Sequence, residues 1–148
     1  MYRFIAIFLI LTACNSVYMK PGTMEPKTTV HAKLGGVGME RAVKEQLEKR
    51  GYDVRVGKQR KIGQTSLSSS NILELPKDIK YIVRVDPNTE TFMPWWCMFN
   101  GVWWWRFSVS ITDQKTGTEI LSWRGRGCQN SSLRKLNDIL DKLEKNKE

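Results

Sequence analysis

Trp105-Arg106-Phe107-Ser108-Val109-Ser110-Ile111-Thr112-Asp113-Gln114-Lys115-Thr116-Gly117 decides the architecture of this chain. Trp105, Phe107, Val109 and Ile111 alternate with Arg106, Ser108, Ser110 and Thr112, a period of two that turns one set of side chains to a buried sheet face and the other to solvent. Asp113 to Gly117 is built of turn formers and sends the chain back through Thr118 to Arg126, so the two runs read as an antiparallel hairpin. A hairpin with one apolar face needs a covering layer, and the flanking sequence offers two.

Downstream, Ser131 or Ser132 can cap a final helix whose Leu133, Leu136, Leu140 and Leu143 form one stripe. Upstream, Ile79, Tyr81, Val83 and Val85 share a strand face, and Asp86-Pro87-Asn88 is read as its end. Earlier still, Val30, Ala32 and Leu34 alternate with His31 and Lys33, a strand over 28–34 with His31 pointing outward. Met39, Val43 and Leu47 then recur at helical spacing, with Glu40, Lys44, Glu48 and Lys49 on the far side and Gly51 as C-cap. Val54 and Val56 complete a strand-helix-strand unit expected to cross over right-handedly. Residues 57–77 break the pattern as a basic, serine-rich loop, and loops of that length are either disordered or functional. The order β-α-β-β-β-β-α predicts an α+β fold: one two-layer sandwich, a mixed sheet of four to five strands with two helices packed on one face.

The N-terminus supplies an address. Arg3 precedes the apolar run Phe4 to Leu11, which is too short for a bilayer core that needs about 20 helical residues. Leu11-Thr12-Ala13-Cys14 closes the run and resembles the lipobox of bacterial lipoproteins. That resemblance implies removal of residues 1–13 and acylation of Cys14. Asn15 after the cysteine implies delivery to the outer membrane rather than the inner one. Residues 14–27, with Pro21, Gly22 and Pro26, are read as a lipidated flexible tether, and 28–148 as the periplasmic domain. The element order, with D-x-x-T-G at 113–117 between strands, is similar to that of penicillin-binding-protein activators and auxiliary lipoproteins of ABC transporters. The likeness implies a fold and a compartment, with no catalytic residues to carry over.

The formal charge of +9 loses only Arg3 with the signal, so the mature surface is basic and suits the phosphates and carboxylates of an envelope. The compartment, rather than the charge, disfavours nucleic acid, and no nucleic-acid partner is expected. Cys97 and Cys128 are read as a disulfide in that oxidising space; the alternatives are two free thiols or a metal site, and for the last His31 is the only histidine. No cofactor or metal is expected. Neither G-x-S-x-G nor H-E-x-x-H occurs, and Gly35-Gly36-Val37-Gly38 lacks the third glycine of a dinucleotide loop, so no enzyme is expected.

Trp95-Trp96-Cys97-Met98-Phe99-Asn100-Gly101-Val102-Trp103-Trp104-Trp105 is the most unusual stretch. Asn100-Gly101 signals a two-residue hairpin that would set Phe99 opposite Val102, Cys97 opposite Trp104 and Trp96 opposite Trp105. Alternation forbids Trp103, Trp104 and Trp105 from entering one core together. Three uses stay open: rings covering an unshielded sheet face, a membrane-interface patch, or a surface for an envelope protein or glycan. The last would comprise Trp103, Trp104, Arg106, Trp123, Arg124 and Arg126. The expected function is a non-catalytic, lipid-anchored binding or assembly factor, or alternatively a structural lipoprotein resting its tryptophan face on the membrane.

Overall fold

Alternation at Trp105 to Ile111 produces the longest paired ladder of the molecule, which a computed structural model describes over residues 15–33, 37–57 and 78–144. Cys14, the signal segment and the loop read over 57–77, apart from Gly57, lie outside the described residues. Chain order runs β1 (Ser16–Met19), β2 (Thr29–Lys33), α1 (Gly38–Lys49), β3 (Asp53–Val56), β4 (Tyr81–Phe92), β5 (Trp103–Asp113), β6 (Glu119–Cys128) and α2 (Gln129–Leu143). The strands form one six-stranded sheet in the order β1-β6-β5-β4-β2-β3. β2 runs parallel to β3 and β4, and the other pairings are antiparallel. The fold is therefore α+β with a mixed sheet and two helices, with one strand more than the sequence predicted.

The additional strand comes from the stretch read as a tether. Val17 pairs with Trp123 and Met19 with Leu121 along the edge of β6, and both pack against the core. The chain then wraps the end of α2: the Gly22 and Met24 amides donate to Lys142 O and Leu143 O at 2.9 and 2.8 Å. Met24 is fully buried. Tyr81 fastens the strap, its hydroxyl donating to Thr23 O at 3.2 Å and accepting from the Glu25 amide at 2.9 Å, while Lys80 pairs with Glu25. The prolines and glycine that suggested disorder are the bends of this strap, and the isolated Val17, Met19 and Met24 are what it buries.

Val30, Ala32, Tyr81, Val83, Val85, Trp105, Val109, Ile111, Leu121 and Trp123 line the inner sheet face. Met39, Val43 and Leu47 of α1 and Leu136, Ile139, Leu140 and Leu143 of α2 cover them. Gly51 takes a positive φ of +85° just beyond α1, where the left-handed turn suits a residue without Cβ. Glu40 departs from expectation: it is 8 % exposed, on the covered side of α1. β4 also runs past Asp86-Pro87-Asn88 to Phe92, because a register shift between Pro87 and Thr89 absorbs the missing proline N–H. Helix α2 begins at Gln129, ahead of the expected serine cap. Arg50 ties the helices together, donating to Asn137 O at 3.2 Å and to Asp141 Oδ1 at 2.5 Å.

Candidate functional site

Both helices occupy one side, so the other sheet face carries its alternate residues into the open. On β5 and β6 these are Trp104, Arg106, Ser108, Arg124 and Arg126, and on β4 they include Arg84 and Asp86. One row across the sheet reads Ser16, Arg124, Ser108, Asp86, and the next sets Arg126 against Arg106 and Arg106 against Thr89. Small serines between long side chains leave a trough of about 770 Å³, open to solvent, with Asn15 and Asn88 at its margins. The Asn15 side-chain oxygen accepts from the Arg126 amide at 3.0 Å. Arg106, Arg124 and Arg126 are exposed. Among the described residues none of the three forms an ion pair.

At one end of the sheet the β4–β5 connection, residues 93–102, presents a second surface. The tight Asn100-Gly101 hairpin does not form: the observed pairs are Phe92 with Trp103, Thr91 with Trp104 and Glu90 with Trp105. The Met93 amide closes the loop on Val102 O at 2.7 Å, and Trp95–Cys97 makes a single 3₁₀ turn. Cys97 and Cys128 stand in disulfide geometry with Cα atoms 5.4 Å apart. Because Cys128 already faces Trp104 across β5, this link draws Cys97 away from the position opposite Trp104 and opens the turn. The loop also leans on the start of α2: the Asn130 amide donates to Asn100 O at 3.1 Å, and Asn100 Nδ2 to Ser131 Oγ at 2.5 Å. Gly101 holds a positive φ of 92°, and a Cβ there would lie 2.9 Å from Gln129 Cβ, so the position suits glycine. Met93 and Val102 hold positive φ of 49° and 42°, conformations that cost about 1–2 kcal/mol each for residues with a Cβ.

So fastened, the loop exposes its apolar side chains: Phe99 is 100 % and Trp95 78 % exposed, and Phe92, Met93, Trp96 and Met98 are more than half exposed. Of the expected partner-binding set, Arg106, Arg124 and Arg126 share the open face. Trp104 is half-buried on that face, and Trp103 is half-buried against the Phe92 ring at 4.9 Å. Trp123 does not belong to the surface. It is 2 % exposed on the inner face, edge to face with Phe107 at 4.5 Å. Phe92, Trp95, Trp96, Met98 and Phe99 were not in the expected partner set, although a run of large apolar residues beside Pro94 and Asn100-Gly101 is the signal that marks them.

His31 lies half-buried on the outer side, and burial lowers its pKa below the ordinary imidazole value. Burial raises the Tyr52 and Tyr81 hydroxyls, and Glu25 raises Lys80. Among the described residues no three His, Cys, Asp or Glu side chains gather as a metal set, and no helix is long and apolar enough to cross a membrane.

No family model and no curated protein matches the chain. Among solved structures it is similar to the PelC dodecamer from Paraburkholderia phytofirmans, with a TM-score of 0.55 and 13% identity over 90% of this chain and 99% of that one. A single-site variant of the same PelC gives 0.53 and 12% over 90% and 98%. The likeness is one of fold.

Proposed function

We propose that this chain is a non-catalytic, lipid-anchored lipoprotein of the outer membrane, facing the periplasm, that serves as a binding or assembly factor for an envelope protein or glycan. The observation that carries the reading is the placement of the apolar loop. Asn15 stands beside Arg126, two residues from Cys128, which is linked to Cys97 in the loop. An acyl group on Cys14 would thus attach at the sheet end where Trp95, Trp96, Met98 and Phe99 are exposed. Acyl chains and indoles would enter the bilayer together, the indoles at headgroup depth, with the arginine face left free.

Vesicle sedimentation of the chain with Cys14→Ser isolates the loop's share. Residual binding that falls about tenfold in Phe99→Ser, the scale of one partly buried aromatic ring, supports the seat. Equal partition of both chains removes it. The anchor is tested separately by mass analysis of the mature N-terminus. Likeness to dodecameric PelC, together with β1 and β3 at the open sheet edges, supports self-association as well. Light scattering that returns a monomer at every concentration in detergent overturns that part.

A further inference from the structure

We infer that the arginine trough on the outer sheet face is a binding site for an acidic oligosaccharide, a chain of sugars bearing carboxylate or phosphate groups. The inference rests on the binding-factor reading and names the ligand class for it. Arg106 and Arg126 are direct cross-strand neighbours, and like charges placed so destabilise a sheet. Arg124 adds a third cation one row away. Asp86, the carboxylate of the same trough, forms no ion pair with any of them at 4.0 Å or less. A face that concentrates unpaired guanidinium groups at a cost to its own stability is poised for anions, and their forked donors match carboxylate and phosphate oxygens in pairs.

The remaining lining selects a sugar over other anions. Asn15, Asn88, Ser16 and Ser108 offer amide and hydroxyl groups that both donate and accept, as sugar hydroxyls do. The volume of about 770 Å³ is far larger than a lone phosphate and lies in the range of saccharide-sized ligands. A protein partner would want an aromatic or aliphatic anchor at the centre of its contact. The exposed rings of this molecule stand at the loop end of the sheet, and the one ring that lines the trough, Phe107, is 2 % exposed and leaves no anchor site among side chains that are otherwise polar.

The test titrates the acylated mature protein in detergent with tetragalacturonate and with a phosphorylated maltotetraose, using neutral maltotetraose, inorganic phosphate and tetraglutamate as controls. Binding of either acidic saccharide, weakened by salt and reduced about tenfold or more by Arg106→Thr and by Arg124→Thr, is the expected result. Whichever arm binds identifies carboxylate or phosphate as the anion. Threonine suits an exposed strand position, so a thermal midpoint no lower than that of the unsubstituted protein certifies that the variants are folded. Equal binding of maltotetraose, equal competition by inorganic phosphate or tetraglutamate, or unaltered affinity in the variants overturns the site. Loss of vesicle seating with saccharide binding intact would sink the membrane reading alone, and the reverse would sink the trough alone.

Discussion

Gly125 shows how closely the two faces of β6 are specified. It sits between Arg124 and Arg126, which point out, and its own inward position is occupied by the Phe107 and Trp123 rings. A Cβ there would come within 2.6 Å of Phe107 Cζ and 3.0 Å of Trp123 Nε1. Gly125→Ala should therefore cost about 1–3 kcal/mol by overpacking, read by denaturant unfolding, and should alter the near-ultraviolet dichroism of the Phe107–Trp123 pair. The opposite sign is expected outside: Arg106→Thr relieves repulsion from Arg126 and should raise stability by a few tenths to about 1 kcal/mol at low salt, an increment that shrinks as salt is added. The outward arginines were legible from the period of two. The inward position of Trp123 was equally legible, since Leu121, Trp123 and Gly125 share one parity. Residue chemistry alone would group Trp123 with Arg124 and Arg126, and the pleat overrules it.

At the scale of elements, the hairpin β5–β6, the α1 stripe and the α2 stripe follow from local periodicity, and local periodicity is what a single sequence displays. The loop 93–102 does not, because its shape depends on a partner 31 residues away in the chain, Cys128. Local turn preference at Asn100-Gly101 competes with that link and with the contacts to Asn130 and Ser131, and it loses. The strap over 15–28 was hidden for a related reason: its apolar residues are too few for a period, and each is buried by elements distant in sequence. Replacing Cys97 and Cys128 together by serine should lower stability by about 3–4 kcal/mol, the loop-closure entropy for a ring of this length. Hydrogen exchange should rise at Asn100 and Asn130 ahead of the hairpin core. An unchanged unfolding midpoint under oxidising conditions would mean that the loop is held by its hydrogen bonds to α2 alone.

For the whole molecule, the strap limits what an acyl anchor on Cys14 could do. A free tether would let the domain wander and leave either end of the sheet equally near the bilayer. Here β1 is laid along β6 from Ser16 onward, and Met24 plugs the core, so the fold extends to within a residue or two of Cys14. A chain truncated to residue 28 should accordingly lose cooperative unfolding, whereas one beginning at Asn15 should keep it. With so little slack, an acylated Cys14 would hold the loop end against the membrane and the Asp113–Gly117 turn away from it, because β5 spans 11 residues between them, about 35 Å. Nitroxide labels on the acylated protein in nanodiscs read this directly. A label at Met98 should be relaxed by lipid-soluble oxygen and one at Thr116 by aqueous nickel chelate. Equal aqueous accessibility at both positions would mean a domain that tumbles on its anchor. A fixed orientation would present the arginine trough sideways along the membrane plane, where an acidic glycan of the proposed kind would meet three guanidinium groups at once.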